Sequence, residues 1–339
     1  YSLEKGRTFY TSNAGLKSLK DEISRYLSRR FDVSYDSDKE IMVTVGGSEA
    51  IDAAMRAMLN PGDEVLIPQP SYVSYVPCAV LADGVPVVIE LEEKDHFKLT
   101  PEKLLEKITD KTKILVLPFP NNPTGAIMER HELEEIAKIV VEKDIFVISD
   151  EIYSELTYTD NHVTIASFPG MKERTVLING FSKSYAMTGW RVGYLLADTR
   201  LVPQMAKLQE GIVSCVSTFS QVAAAEALKS RECVEWMRGE YARRRDILID
   251  GINSIPGFSC KKSPGSFYAF VNIKAFGKTS DEFAEELIRN AGVVTVPGSA
   301  FGKMGEGYLR MVFANSDENL KEAVRRIRAY VEKAYPDIQ

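Results

Sequence analysis

Ile41-Met-Val-Thr-Val-Gly-Gly-Ser-Glu-Ala-Ile-Asp-Ala-Ala-Met-Arg-Ala-Met-Leu-Asn-Pro-Gly62 contains one complete unit of an α/β fold. Ile41 to Val45 reads as a buried strand, Gly46-Gly47 as a tight turn, and Ser48 to Leu59 as a helix halted by Asn60-Pro61-Gly62. A strand running through glycines into a helix start leaves free N–H groups and the positive end of the helix dipole facing outward. Such a junction accepts anions, and Ser48 adds a hydroxyl to it. A glycine pair alone can equally do no more than reverse the chain.

The same alternation continues downstream. Further apolar runs cover Glu64 to Pro68, Pro86 to Leu91, Lys113 to Leu117, Ile145 to Ser149 and Thr175 to Ile178. Between them lie helices, one capped by Thr100 with Pro101 in its first position and one from Glu129 to Glu142 with Leu133, Ile136, Ala137 and Val140 on one face. Repeated units of this kind predict an α/β architecture with a mostly parallel sheet sandwiched by helices. Upstream, Leu16, Leu19, Ile23 and Leu27 mark one more amphipathic helix.

In such sheets ligands collect at the carboxyl ends of the strands, so the residues after each strand matter most. After Leu117 comes Pro118-Phe-Pro-Asn-Asn-Pro-Thr-Gly125, after Ser149 comes Asp150-Glu-Ile-Tyr153, and after Ile178 comes Asn179-Gly-Phe-Ser-Lys183. Asn122, Asp150, Tyr153 and Lys183 should therefore gather at one rim, opposite the Gly46-Gly47 turn. Taken singly, Asn122 reads as a turn former, Asp150 as a helix cap and Tyr153 as a packing residue. A lysine beside a buried strand is desolvated toward its neutral, nucleophilic form, and neutral lysine forms Schiff bases.

Beyond Leu201 the chain reads as largely helical to about Ile255, with one long helix from Glu232 to Ile252. Strands at Phe267 to Ile273, Val293 to Val296 and Tyr308 to Phe313, a helix capped by Ser280 and a last helix after Ser316 then form a smaller α+β module. The expected division is a large domain over 35–235 and a small one from 1–34 and 236–339, with the helix near 16–30 packed on the C-terminal module.

The chain has 339 residues, 45% hydrophobic and 27% charged, with a net charge of −6. That acidic balance argues against nucleic acid, whose phosphates call for a concentrated basic face. No apolar run reaches the length of a membrane span. Cys78, Cys215, Cys233 and Cys260 have no metal-site or disulfide-framework spacing, so no metal is expected and a reducing, cytoplasmic setting is. The sequence opens abruptly at Tyr1, and residues are expected to precede it.

With these segments in place, the chain resembles the class I/II aminotransferases, the fold type I enzymes that use pyridoxal 5′-phosphate, in the branch with bacterial aspartate and aromatic aminotransferases. The resemblance rests on Tyr10-Thr-Ser-Asn-Ala-Gly15, Val45-Gly-Gly-Ser-Glu-Ala50, Pro70-Ser-Tyr72, Asn121-Asn-Pro-Thr-Gly125, Ser149-Asp-Glu-Ile-Tyr153, Ser182-Lys183, Ala186-Met-Thr-Gly-Trp-Arg-Val-Gly193 and Tyr308-Leu-Arg-Met-Val-Phe-Ala314. It implies transamination between an L-amino acid and a 2-oxo acid by a ping-pong course. It also implies Lys183 as the lysine holding the cofactor as an aldimine, Asp150 as partner of the pyridine nitrogen, and Tyr153 and Asn122 as donors to the phenolic oxygen. Tyr72 would stack on the ring, and Gly47, Ser48, Ser182 and Arg191 would receive the phosphate. Arg310 and Asn122 would bind the substrate, with Arg310 gripping its α-carboxylate. Tyr10 would reach the cofactor phosphate of a second subunit, making a homodimer with shared active sites.

Gly180 departs from the pattern, because many relatives carry a serine there. Relatives selective for dicarboxylic substrates carry a lysine in place of Ser48 or an arginine within 212–220; this chain has neither, and aspartate selectivity is not supported. The N-terminal arm that often closes the pocket is also absent from the sequence. A carbon–sulfur β-lyase or related eliminase would use the same Lys183, Asp150 and Arg310, although the Asn-Pro-Thr-Gly and Met-Thr-Gly-Trp-Arg motifs favour transamination. A cofactor-binding regulator would carry a DNA-binding domain, of which this sequence has no sign.

Overall fold

The structure, a computed structural model, describes residues 3–159 and 162–338. Tyr1, where the sequence opens, and Gln339, at the end of the expected small domain, lie outside the described residues.

The strands and helices alternate much as the hydrophobic pattern dictates. In chain order they are α1 (Lys17–Phe31), β1 (Ile41–Thr44), α2 (Gly47–Met58), β2 (Glu64–Gln69), α3 (Tyr75–Leu81), β3 (Val85–Glu90), α4 (Pro101–Lys107), β4 (Thr112–Leu117), α5 (Arg130–Glu142), β5 (Phe146–Asp150), β6 (Thr175–Gly180) and β7 (Gly193–Leu196). Then follow α6 (Val202–Val213), α7 (Thr218–Ala227), α8 (Arg231–Asn253), β8 (Tyr268–Asn272), α9 (Ser280–Glu286), β9 (Val296–Pro297), β10 (Tyr308–Val312) and α10 (Asp317–Ala334).

The first seven strands form one sheet in the order β1-β7-β6-β5-β4-β2-β3. Neighbours from β3 to β6 are parallel, and β7 runs antiparallel to both β6 and β1. The reversal has a covalent cause: β6 and β7 are joined directly by the loop 181–192, and a parallel neighbour would have required a crossover. Beginning at a glycine and only four residues long, β7 has no sequence signal of its own, and it was not among the expected strands.

Both faces of the sheet are covered. On one side α2 buries Ala50, Ile51, Ala54 and Met55 against Met42, Val65, Ile67, Ile148 and Ile178, each large aliphatic contributing about 1.5–3 kcal/mol through burial. Three strands, β8-β10-β9, make a second, antiparallel sheet. Its core joins α8, α9 and α10 through Leu248, Ile252, Phe283, Leu309 and Ile327.

Three expectations are corrected. Helix α1 does not pack on the C-terminal module: Leu19, Ile23 and Leu27 are buried with Ile41, Val43, Leu177, Tyr194 and Leu196 of the large sheet. It is further tied there by Tyr26 Oη donating to Glu155 (2.5 Å) and Arg30 pairing with the same carboxylate (3.1 Å). The cap of α9 is Thr279, in a reciprocal capping box with Glu282, whereas the Ser280 hydroxyl accepts from the buried amide of Gly307 (2.9 Å). The strand expected at Val293 to Val296 is only Val296–Pro297, with Val294 77% exposed before it.

Candidate active site

The carboxyl ends of β4, β5 and β6 open on one cavity of about 270 Å³, which Gly47, Ser48, Tyr72, Asn122, Asp150, Tyr153, Ser182, Lys183, Arg191 and Arg310 all line. Nine of these ten come from the large-sheet part of the chain, and Arg310 reaches in from β10. Tyr10 does not join them: its side chain is 84% exposed.

At one end of the cavity, Gly46 (φ 80°) turns the chain from β1 into α2. A Cβ at Gly46 would stand 2.3 Å from Arg191 Nη2, so the guanidinium fills the space a side chain would take. Arg191 donates to Thr188 O (2.9 Å) and to Val45 O (3.4 Å), which holds the guanidinium beside the α2 N-terminus. Ser48 Oγ lies 3.3 Å from Tyr72 Oη. The absence of a hydroxyl at Gly180 has a steric reason: a Cβ there would come within 2.9 Å of Gly193 Cα on the adjoining strand.

Asp150 ends β5 at the opposite side of the cavity. Its Oδ2 accepts from Tyr75 Oη (2.7 Å) and its Oδ1 from the Ile152 amide (3.2 Å). Burial pushes the carboxyl above its ordinary range, while those two donors pull the other way. The adjoining turn is locked by Glu151, which accepts from Ser149 Oγ (2.9 Å) and Thr164 Oγ1 (2.7 Å) and lies 2.7 Å from His162 Nε2.

Lys183 follows β6 with its Nζ 5.6 Å from the Phe267 ring centroid. Burial holds the ammonium below its ordinary pKa, and Arg310 and Arg191 lower it further against the opposing pull of Asp150. The ammonium is thereby easier to deprotonate than that of an exposed lysine.

Arg310 donates through Nη1 to Asn122 Oδ1 (2.8 Å), and its guanidinium lies between the rings of Tyr268 (4.4 Å) and Phe301 (4.7 Å). Its Nε is buried without a hydrogen-bond partner, an orphaned donor beside the cavity that the guanidinium lines. Tyr153 and Tyr268 face each other with their hydroxyls 2.9 Å apart.

A helix start beside Arg191, a buried carboxylate, a lysine and tyrosine hydroxyls lining one cavity are groups whose chemistry fits a phosphorylated pyridine aldehyde. Tyr75 and Tyr268 were missed in the sequence. Tyr75 lies one turn beyond Tyr72, so the short Tyr72–Tyr75 spacing was the available signal; Tyr268 had none apart from its place at the start of a strand.

The sequence profile described as "Aminotransferase class I and II" matches residues 2–327. The chain is 44% identical to the aspartate aminotransferase of Pyrococcus abyssi, over 96% of this chain and 85% of that one. It is 42% identical to aromatic-amino-acid aminotransferase 2 of Thermococcus litoralis, with coverage of 96% and 85%. Among solved structures it is similar to an aromatic aminotransferase from Pyrococcus horikoshii OT3, with a TM-score of 0.96, 43% identity and coverage of 98% and 90%.

Proposed function

Because the chain belongs to the class I and II aminotransferases and is a transaminase dependent on pyridoxal phosphate, we propose that the cavity at the ends of β4, β5 and β6 is its active site, with Lys183 as the covalent anchor of the cofactor. The observation that carries this reading is the convergence of Lys183, Asp150 and Arg310 on one cavity. When bound, the cofactor supplies an electron sink for the charge left at the substrate α-carbon.

Each side chain has a definable task. Asp150, aligned by Tyr75, holds a proton on the ring nitrogen through its negative charge. Ser48, Ser182, Arg191 and the free amides at the start of α2 bind the phosphate. Asn122 and Tyr153 donate toward the phenolic oxygen, and Tyr72 covers a ring face. Arg310 would bind the α-carboxylate, and Lys183 Nζ, its ammonium held below the ordinary pKa, would take up the α-proton.

The cavity's cations among the described residues are Lys183, Arg191 and Arg310, all of them engaged in these tasks. Among the described residues of one chain none of these cations is spare for a second substrate carboxylate, so aspartate selectivity finds no support in this chain's own side chains. We further assign 236–339 to a module that closes on the substrate, with α1 grouped by its packing with 35–235. A homodimer is supported by the exposed apolar side chains of Phe9, Tyr10, Trp190, Ile212 and Phe219. The Phe9 carbonyl accepts from Thr218 Oγ1, which fixes that segment against α7. The free cysteines support a cytoplasmic location, and no helix among the described residues is long and apolar enough to cross a membrane.

The test is spectroscopic. Protein loaded with pyridoxal phosphate should show the absorbance of a lysine-linked cofactor, and Lys183→Ala should lose both this band and turnover. Persistence of the band in that variant would overturn the assignment. Formation of glutamate from 2-oxoglutarate, without release of ammonia, separates transamination from elimination.

A further inference from the structure

Tyr268 touches both halves of the site. It opens β8, where Phe270 is the direct cross-strand partner of Arg310 on β10. Residues two apart on a strand share a face, so Tyr268 lies diagonally beside Arg310 on the cavity side. Its ring lies 4.4 Å from the guanidinium, with Phe301 on another side at 4.7 Å. The guanidinium is thus supported by aromatic surface and not by a carboxylate that would compete for it.

The Tyr268 hydroxyl points the other way, 2.9 Å from Tyr153 Oη, and the two rings meet edge to face. Both tyrosines are buried and both line the cavity, in a cluster with Leu156 and Phe267. The pair holds two hydroxyl protons, and one of them lies between the oxygens. The other is free to point into the cavity, and the direction of the shared bond decides whose it is. If Tyr153 is to donate to an anionic oxygen in the cavity, Tyr268 must donate to Tyr153. The two bonds then form a chain in which each strengthens the next.

We propose that Tyr268 is a positioning residue that joins substrate capture to cofactor activation, its ring carrying Arg310 and its hydroxyl directing the proton of Tyr153 into the cavity. This rests on the reading of Lys183 as the cofactor's anchor and of Tyr153 as a donor to the phenolic oxygen. Without the Tyr268 hydroxyl, Tyr153 is a weaker donor and more negative charge stays on that oxygen. The neighbouring linkage nitrogen then holds its proton more tightly.

The experiment is a spectral pH titration of the cofactor-loaded protein in four forms: wild type, Tyr268→Phe, Tyr153→Phe and the double variant. Tyr268→Phe should move the transition upward by about half a pH unit, the effect of one neutral hydrogen bond. Its KM for the amino acid should stay within about twofold, since the ring under Arg310 remains. The double variant should titrate with Tyr153→Phe, because Tyr268 acts only through that hydroxyl. Tyr268→Leu removes ring and hydroxyl together and should add a rise in KM of about tenfold. An unshifted Tyr268→Phe transition, or shifts that add in the double variant, would overturn the proposal. Absence of the lysine-linked band in the wild type would instead overturn the underlying reading.

Discussion

Lys183 occupies a position where burial and two arginines oppose its charge, and this has a measurable cost in the protein without cofactor. With its folded pKa below the ordinary 10.5, the unfolded chain binds more protons between the two values, so stability rises with pH across that window. Below it the cost is constant. Lys183→Met should therefore stabilise the cofactor-free protein at pH 7, and the gain should shrink as pH climbs toward 10.5; urea unfolding of both proteins at several pH values measures it. Asp150→Asn keeps the shape facing Tyr75 but removes the charge, and kcat should fall by about a hundredfold or more, as measured by steady-state kinetics with saturating cofactor. Lys183, Asp150 and Asn122 could be found in the sequence because each follows an apolar run, so a rule about strand ends sufficed. Tyr75 had only its spacing from Tyr72 as a signal, because its contact with Asp150 depends on how the chain after β2 is placed against the end of β5.

The loop between β6 and β7 binds Lys183 and Arg191 into one piece of backbone. Its ends are adjacent strands paired at Gly180 and Gly193. Glycine at 193 is required by packing: a Cβ there would lie 2.6 Å from Gly46 C and 2.7 Å from Gly47 N. Gly193→Ala should force the β1–α2 turn away from Arg191, costing about 1–3 kcal/mol in stability and loosening the anion cradle; thermal unfolding and a cofactor-binding titration report the two effects separately. A variant as stable and as tightly loaded as the wild type would show that this close approach is dispensable. Most elements were legible from their hydrophobic pattern, the four-residue β1 among them, whereas β7 and most of the strand expected at Val293 to Val296 were not. β7 has four residues and β9 two, and both exist because a neighbour supplies their hydrogen bonds. The cap of α9 was misplaced by one residue for a similar reason, since the Ser280 hydroxyl is taken up by a distant amide.

At the scale of the whole molecule, the exposed apolar residues around Phe9, Ile212 and Phe219 give the proposed dimer its own test. Ile212→Glu together with Phe219→Glu should yield monomers in sedimentation experiments, with weaker cofactor retention if Tyr10 serves the neighbouring subunit. A variant that remains dimeric would remove this patch from the interface. The α/β class was legible from composition and pattern, whereas the placement of α1 was not, because an amphipathic stripe does not say which sheet it covers; in the fold its Leu19, Ile23 and Leu27 are buried with the large sheet, and Tyr26 and Arg30 add bonds to Glu155. The strand order also fixes a timetable for synthesis. Although β1 is made early, among the described residues its one strand partner in the sheet is β7, so its pairing requires the chain through residue 196. Lys183, Asp150 and Arg191 all precede that residue, whereas Arg310 lies 114 residues beyond it in the chain (310 − 196). The one cavity side chain that β10 contributes therefore comes from a part of the chain made well after the strands of the large sheet.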